Sequence, residues 1–387
     1  MTVHLKGITW NHSRGYVPMA ATAQRFEERN PDVRITWEKR SLQEFADAPI
    51  SHLVERYDLL VIDHPWAGYA AAHGVLLDLG AHLPEAFMAD QAAHSVGASH
   101  ASYRFGGKQT ALAIDAAAPV SSHRPDLMER DGLTPPEKWE ELLALARRGR
   151  VVMPGIPIDT LMNFYMLCAT LGEEPFASEE EVVGKETAAR ALEMYRELAA
   201  LCPDRIYGWN PIAVYEAMTD GDDYAYCPFA YGYSNYSRPG YANRPLTFGD
   251  LVSLTGHGRL RSTLGGTGLA VSAGTPHREA ALRYAAYVAD PLVQRTLYVE
   301  CGGQPGHRAA WEDDEANRRA RDYFRRTLPA LDRAYVRPRY DGYLHFQDRA
   351  GDVVRDYLRE GGRTDRVMER LNALYAESLG LRGGKRT

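Results

Sequence analysis

The alternation of apolar and polar residues predicts strand, helix, strand, helix and strand in the first part of the chain. The first strand ends near Trp10, and apolar or small residues from Met19 to Phe26 then recur on one face of a helix that stops at Asn30-Pro31. In the second strand the apolar residues alternate with polar ones, at Val33, Ile35 and Trp37. The continuous apolar run Tyr57–Asp63 suits a strand buried on both faces. This order predicts an α/β lobe with a mainly parallel sheet.

Further along the chain the pattern predicts more strands and a largely helical end. Apolar strands are expected at 110–115, 151–153 and 269–272, and a long amphipathic helix at 185–201. A helix pair at 277–300 is interrupted by Asp290-Pro291. The sequence has no internal repeat and no low-complexity linker, which excludes a solenoid and a flexible two-domain array.

Size and charge restrict the class of protein. A chain of 387 residues is long enough for two domains or for one two-lobed unit. The net charge of −6 gives no general attraction to nucleic acid or to an anionic membrane surface. No apolar run approaches the roughly 20 residues that cross a bilayer. We therefore expect neither a nucleic-acid partner nor membrane insertion.

The start of the sequence bears on location. An export signal combines a basic stretch, an apolar run of about 7–15 residues and a small-residue cleavage site. Here the first predicted strand starts almost at Met1, and Lys6 interrupts its apolar run. As the sequence stands, without a signal peptide, it predicts a cytoplasmic protein. An extracellular or periplasmic location follows if a leader was removed.

Seven segments, spread over nearly the whole chain, carry family information. Each segment alone is a weak signal, but their order along the chain is specific. They are Phe26–Val33, Tyr57–Asp63, Gly74–Leu79, Tyr103–Lys108, Leu127–Leu142, Gly265–Ser272 and Ala280–Gln294. Leu127–Leu142 is the most specific of them. In this order the segments resemble the family 1 extracellular solute-binding proteins, the maltose-binding-like group.

The resemblance implies a two-lobed, periplasmic-binding-protein-like α/β fold of type II. Each lobe would be a mixed, mainly parallel sheet flanked by helices, and the ligand cleft would lie at the hinge. The N-terminal lobe would contain residues 1–114 and 264–310, and the C-terminal lobe 115–263 and 311–387. The resemblance also implies a monomer without a cofactor, which closes on a small molecule and presents it to an ABC permease if exported.

Loops after the first three strands are expected to face the cleft, because ligands of open α/β sheets lie beyond the carboxyl ends of the strands. These loops supply Trp10, Asn11, His12, Ser13, Arg14, Tyr16, Arg40, Asp63, His64 and Trp66. Two arginines can clamp a carboxylate or phosphate, and tryptophan faces suit a sugar. The alternative is structural, with Arg40 solvated on the surface and Trp10 in the core.

The second lobe's ligand candidates are mainly aromatic. They are Tyr226, Phe229, Tyr231, Tyr233 and Asn235, with Arg261 further along the chain. The resemblance implies that this segment lies where the family presents aromatic residues to the ligand. A buried strand followed by a loop would give the same aromatic pattern, so both interpretations stay open at this point.

Three functions fit these residues. The first is a non-enzymatic solute-binding protein that closes on a small polar or anionic organic molecule, either a carbohydrate or an organic acid. The second is a cytoplasmic enzyme on the same scaffold, with acid–base candidates His12, Asp63, His64 and Asp115. The third is a cytoplasmic ligand sensor or carrier. The GxSxG, GxxxxGK[ST] and HExxH signatures are absent, which favours binding over catalysis.

The alternative to an acid–base role for His12, Asp63 and His64 is a metal site. Metal binding needs these side chains to converge at about 2.0–2.2 Å from one ion, and sequence spacing cannot show this. Satisfied polar residues in loops are the commoner explanation. The sequence therefore predicts neither a metal nor a cofactor.

Overall fold

The computed structural model describes residues 2–41 and 49–382. The chain divides into two compact units. The first unit contains Met1–Ala117, Gly265–Ala320 and Arg339–Asp341, and the second contains Ala118–Leu264, Arg321–Pro338 and Gly342–Thr387. Within the described ranges, no helix combines the length and the apolar character that a membrane span requires.

The described strands, in chain order, are β1 (Val3–Trp10), β2 (Val33–Arg40), β3 (Leu59–Ile62), β4 (Arg104–Phe105), β5 (Lys108–Gln109), β6 (Leu112–Ala117), β7 (Pro119–His123), β8 (Tyr226–Tyr231), β9 (Thr247–Gly249), β10 (Ser253–Leu254), β11 (Gly258–Arg259) and β12 (Gly265–Val271). The α-helices are α1 (Ser13–Arg29), α2 (Ile50–Leu53), α3 (Trp66–His73), α4 (Leu79–His82), α5 (Glu85–Ala93), α6 (Ser99–Ser102), α7 (Pro125–Arg130), α8 (Trp139–Ala146), α9 (Pro157–Thr170), α10 (Lys185–Ala199), α11 (Pro211–Asp220), α12 (Arg278–Ala289), α13 (Pro291–Val293), α14 (Arg308–Glu312), α15 (Asp314–Arg319), α16 (Tyr323–Asp332), α17 (Tyr343–Glu360) and α18 (Thr364–Leu379). Short 3₁₀ turns lie at Asp204–Gly208 and Ser234–Ser237, and a π turn at Gln294–Tyr298.

A sheet with the strand order β2-β1-β3-β12-β6 organises the first unit. Strand β1 is parallel to β2 and β3, whereas β12 is antiparallel to β3 and β6. Strands β1, β2, β3 and β6 therefore share one direction. All four residues of β3 are buried, as expected for a strand covered on both faces. The mixed α/β class predicted from the sequence is confirmed.

Helix α1 is fixed to this sheet through buried polar contacts as well as apolar ones. The hydroxyls of Thr22 and Tyr284 lie 3.0 Å apart, and Trp37 Nε1 donates to Tyr284 Oη at 3.2 Å. Phe26 packs edge-on against the Tyr284 ring, with centroids 5.4 Å apart. These contacts hold α1 against β2 and α12, and so fix the loop that joins β1 to α1.

The sheet of the second unit differs from the prediction. Among the described residues it has the order β8-β7-β9, and β7 is antiparallel to both neighbours. The expectation of a mainly parallel sheet in this lobe is therefore wrong. The segment predicted as a strand at 151–153 contributes an isolated parallel bridge from Val151 to Tyr226, so no parallel ladder forms beside β8 in the described structure.

The bounds of the units also differ from the predicted lobes. Residues 311–320 lie in the first unit, whereas the prediction gave them to the second lobe. Trp311 Nε1 donates to the carbonyl of Pro305 at 2.7 Å, and Asn317 Nδ2 donates to the carbonyl of Trp311 at 2.8 Å. These bonds attach α14 and α15 to the loop at Pro305. Residues 115–117 likewise lie in the first unit, because they complete β6.

A carboxyl group is buried in the second unit, in the first turn of α9. Asp159 is almost fully buried, and its Oδ2 has no hydrogen-bond partner among the described residues. Burial raises the pKa of Asp159 to about 8. The helix N-terminus favours the carboxylate, but by less than burial disfavours it. Asp159 is therefore mostly protonated at neutral pH.

This carboxyl makes stability depend on pH. The unfolded chain releases the Asp159 proton near pH 4, and the folded chain near pH 8, so the free energy of unfolding falls as pH rises between these values. We expect Asp159→Asn to remove this fall and to raise the free energy of unfolding at pH 9 by several kcal/mol, because each unit of pKa difference between the folded and unfolded states corresponds to about 1.4 kcal/mol. Urea denaturation of the unmodified protein and the variant at pH 4, 7 and 9 measures the free energy of unfolding.

Asp131 provides the control for this prediction. Hydrogen bonds from Arg130 and Arg150 lower the pKa of Asp131 to about 2. The ionised carboxylate therefore stabilises the folded protein above about pH 4, and this contribution is lost as the pH falls from about 4 to about 2. Asp131→Asn should therefore leave the fall between pH 4 and 8 in place. A fall of the same size in the Asp159→Asn variant contradicts the assignment.

Candidate functional site

Several strand ends meet at one edge of the first unit's sheet. Trp10 and Arg40 are register partners at the ends of β1 and β2. On β12, Gly268 pairs with Ile62 at the end of β3, and its neighbour Thr267 pairs with Asp115 near the end of β6. Because these strands run in the same direction, their carboxyl ends and the loops that follow lie together. We call this region the carboxyl edge, formed by Trp10, His12, Arg14, Arg40, Asp63, His64, Trp66 and Asp115.

A buried ion pair joins the two sides of the carboxyl edge. Arg14, in the first turn of α1, donates from Nε to Asp115 Oδ2 at 2.9 Å and from Nη2 to Oδ1. The two side chains are 4% and 1% exposed. Burial raises the pKa of Asp115, and the Arg14 guanidinium opposes that rise. The bidentate pair compensates most of the Arg14 charge inside the protein.

Trp10, His12 and Arg14 form a layered group at the start of α1. The Trp10 and His12 rings stack with centroids 5.5 Å apart, and Arg14 Cζ lies 5.6 Å from the Trp10 ring. A Cβ on Gly15 would lie 2.3 Å from that ring, so glycine lets the helix pack directly on it. His12 Nδ1 caps α1 by accepting from Arg14 N at 3.0 Å.

The environment of His12 fixes its charge. Burial lowers the pKa of His12 to about 4, and the positive charge of Arg14 acts in the same direction. His12 is therefore neutral at physiological pH. A histidine used as a general base needs a pKa closer to neutrality, so this environment disfavours the acid–base role considered from the sequence.

The loop after β3 brings Asp63, His64 and Trp66 to the same edge. Asp63 Oδ1 accepts from His64 N at 2.8 Å and lies 3.2 Å from His64 Nδ1. His64 is fully buried against the edge of Tyr103, with ring centroids 6.3 Å apart. Trp66 begins α3 and is 7% exposed, and its Nε1 has no acceptor among the described residues. An indole N–H can only donate, so this group needs an acceptor from outside the described residues.

The remaining first-unit candidates are placed less centrally. Arg40 is buried rather than solvated, and its Nη2 donates to the carbonyl of Val61 at 3.3 Å. Tyr16 is half-buried, with Lys39 Nζ 4.7 Å from its ring centroid. Asn11 is exposed, and Ser13 is half-buried as the first residue of α1. The predicted set is thus largely brought together, with Asn11 and Tyr16 at its margin.

In the second unit the structure separates the predicted aromatic residues. Phe229 and Tyr226 are fully buried in β8, and Phe229 packs edge-on against Tyr195 with centroids 6.0 Å apart. These two belong to the core, as the structural alternative supposed. The carbonyl of Tyr231 accepts from Tyr215 Oη at 3.0 Å.

The other second-unit candidates have different surroundings. Tyr233 packs edge-on against Tyr215, with centroids 6.2 Å apart. Asn235 is buried, and its Oδ1 has no donor within the described part of the chain. Arg261 pairs with Glu174, and its Nε donates to the carbonyl of Arg333 at 3.2 Å, which ties it to its own unit.

The sequence did not predict one further group of polar side chains, which lies in the first unit. Among the described residues, Asp90, His94 and His307 bring a carboxylate oxygen and two ring nitrogens within 4.8 Å of one another. The spacing of Asp90 and His94, four residues apart, was a signal that they share a helix face. Nothing in the sequence indicated that His307 joins them.

Comparison with known proteins identifies the family. The sequence model of the bacterial extracellular solute-binding proteins matches residues 21–317, which is most of the chain. The chain belongs to this family. No curated protein matches it in a sequence comparison. As a solute-binding protein it binds a small molecule, and the matched range contains the edge residues Arg40, Asp63, Trp66 and Asp115.

Solved structures show the same fold. The maltose-bound MalE3 of T. maritima has a TM-score of 0.84 at 17% identity, covering 97% of this chain and 99% of that one. An ABC transporter solute-binding protein of Agrobacterium radiobacter K84, in complex with ribitol, has a TM-score of 0.81 at 18% identity, covering 97% and 98%. The GacH receptor of Streptomyces glaucescens GLA.O, solved unliganded and with acarbose, has a TM-score of 0.80 at 17% identity, covering 98% and 99%. The predicted type II fold of this solute-binding protein is confirmed.

Proposed function

We propose that this solute-binding protein binds a neutral polyhydroxy compound, a carbohydrate or a polyol, at the carboxyl edge. The observation that supports this best is the buried Trp66 Nε1, a donor with no acceptor among the described residues. A hydroxyl of the ligand would accept this hydrogen bond, while the indole ring offers a flat apolar face to the C–H groups of a sugar.

The charges of the carboxyl edge favour a neutral ligand over an anion. Its arginines, Arg14 and Arg40, are matched by two carboxylates, Asp63 and Asp115. His12 adds no positive charge at neutral pH, because burial lowers its pKa to about 4. An anionic ligand would therefore meet no net positive charge from these groups. Charged side chains that are already paired still bind hydroxyls well, since hydrogen bonds to ionised groups are stronger than neutral ones.

Relatives of known structure agree with this choice of ligand class. The T. maritima protein holds maltose, the A. radiobacter protein ribitol and the S. glaucescens receptor acarbose. Each of these ligands carries many hydroxyl groups. The organic-acid alternative considered from the sequence depended on a cationic clamp, and the pairing of Arg14 with Asp115 weakens that clamp.

Isothermal titration calorimetry with maltose, ribitol and mannitol, against malate and citrate, tests the ligand class. We expect a neutral compound to bind and both acids to fail. For that compound we expect Trp66→Phe to weaken binding about fivefold, because one neutral hydrogen bond contributes roughly 1 kcal/mol. The stability of the free protein should change little, since Trp66 Nε1 has no acceptor in the described structure.

Trp37 is a matched control for Trp66. It is equally buried, at 7%, but its Nε1 donates to Tyr284 within the protein. Trp37→Phe should therefore lower stability by about 1 kcal/mol and leave ligand affinity unchanged. Binding of an acid in place of every neutral compound would refute the ligand class. Equal affinity losses in the Trp66 and Trp37 variants would refute the placement of the ligand.

We extend the proposal to transport. The protein would act as a monomer outside the cytoplasmic membrane and deliver its ligand to an ABC permease. Membership of the extracellular solute-binding family supports this location. Recovery of the bound compound chemically unchanged after incubation would separate transport from the enzyme alternative. Fractionation of source cells with an antibody separates it from the cytoplasmic sensor or carrier, which would remain with cytoplasmic markers.

A further inference from the structure

Asp90, His94 and His307 form a compact cluster in the first unit. Asp90 Oδ1 lies 2.8 Å from His94 Nδ1, and Asp90 Oδ2 lies 3.2 Å from His307 Nε2. The two imidazole rings stack with centroids 5.3 Å apart and an interplanar angle of 28°. The carboxylate thus faces one nitrogen of each histidine.

We propose that Asp90, His94 and His307 bind a divalent transition-metal ion, with zinc the best match. Zinc lies about 2.0–2.2 Å from imidazole nitrogen and carboxylate oxygen, which places neighbouring ligand atoms roughly 3.4 Å apart in a tetrahedral site. The two nitrogen–oxygen separations of the cluster, 2.8 and 3.2 Å, are slightly shorter, so small side-chain movements would admit the ion. Two imidazoles and one carboxylate are a ligand set that zinc, nickel and copper prefer over magnesium or calcium.

The backbone holds the two histidines in place before any metal binds. Ser95 and His307 form an antiparallel bridge, and Arg308 N donates to the carbonyl of His94 at 2.7 Å. Val96 N also donates to the carbonyl of Gly306 at 3.1 Å. Asp90 is brought alongside by α5, one helical turn before His94. Because the ligands are already ordered, metal binding requires little further loss of conformational entropy.

The electrostatic surroundings favour a cation. The side chain of His307 is buried, at 4% exposure. The carboxylates of Asp90 and Asp290 both act on this ring with negative charge. Both would be attracted to a bound metal ion.

Metal binding also has a cost at His307. Its Nδ1 accepts from Ala309 N at 3.2 Å and so caps α14. Coordination through Nε2 places the proton of the neutral ring on Nδ1, which removes this acceptor. With three protein ligands and this lost hydrogen bond, we expect micromolar affinity for zinc.

A metal at this cluster would brace the carboxyl edge. Gly306 N donates to the carbonyl of Ile114 at 3.2 Å, and Ala116 N donates to the carbonyl of Gln304 at 2.8 Å. The His307 loop therefore lies along β6 on both sides of Asp115. The metal would tie the end of α5 to this loop and stabilise the first unit.

Calorimetry with zinc chloride at pH 7.5, on protein without a histidine tag, tests the proposal. We expect one zinc ion per chain, no binding of magnesium, and a rise in melting temperature with zinc. His94→Gln and Asp90→Asn should each weaken zinc binding at least tenfold, because each removes one of three ligands. Both positions are partly exposed, so these variants should fold.

His345 provides the control, since its Nε2 lies 2.9 Å from Glu377 Oε1 and makes the same type of histidine–carboxylate contact. His345→Gln should bind zinc like the unmodified protein. Absence of zinc binding, or equal binding in the unmodified protein and the His94→Gln variant, overturns the proposal. Ligand binding to the Asp90 and His94 variants, measured with maltose and ribitol, should persist, so the two proposals fail independently.

Discussion

Asp115→Ala is expected to lower the free energy of unfolding by about 3–5 kcal/mol, the range for breaking a buried ion pair by removing one partner. The substitution leaves the Arg14 guanidinium inside the protein without its bidentate acceptor. It also removes the link between α1 and β6 at the carboxyl edge. Urea denaturation at pH 7 gives the free energy, and calorimetry on the same sample gives the accompanying loss of ligand affinity.

The double variant Arg14→Met/Asp115→Leu separates charge from packing. Apolar replacements of a buried pair are often close to neutral for stability, because both desolvation penalties are removed together. We therefore expect the double variant to be more stable than Asp115→Ala. Equal losses in the two proteins would show that the uncompensated Arg14 charge does not cause the destabilisation.

Gly68→Ala is the second substitution with a large expected effect, a loss of about 3 kcal/mol in the free energy of unfolding. A Cβ at this position would lie 1.6 Å from the carbonyl oxygen of Arg339, within the first unit. That oxygen belongs to the backbone, and Arg339 is further fixed by donation from Nη1 to the carbonyls of Ala101 and Ser102. Helix α3, which begins with Trp66, would have to move.

Gly208 is the matched control because a Cβ there would meet no atom within 4 Å. Gly208→Ala should leave stability unchanged or raise it by about 0.4–1 kcal/mol through the unfolded state. Denaturation of both variants under the same conditions makes the comparison. A Gly68→Ala protein as stable as Gly208→Ala would mean that α3 does not touch the Arg339 segment as the structure shows.

Local patterns predicted several elements of both units well. The alternation at Val33, Ile35 and Trp37 corresponds to β2, and the apolar run before Asp63 contains β3. The stop at Asn30 is where α1 ends, and the helix predicted at 185–201 is α10. These features depend on neighbours in sequence, where periodicity and turn residues act directly.

Contacts between residues that lie far apart along the chain could not be predicted from the sequence. Arg14 looked like a ligand clamp because its partner Asp115 lies 101 residues away. The antiparallel second sheet depends on which strands pair with β7, and apolar runs do not specify their partners. The carboxyl edge itself was foreseen, since loops after parallel strands share an edge, but the pairing and protonation of its members required the fold.

The position of β12 has a consequence for biosynthesis. This strand lies between β3 and β6 in the first unit's sheet, yet the whole of Ala118–Leu264 is translated before it. Until the ribosome reaches Gly265, β3 and β6 each lack a neighbour, and open strand edges invite pairing with other chains. The piece Arg339–Asp341, against which Gly68 packs, emerges later still. The first unit therefore cannot be completed until the chain has been translated beyond Asp341.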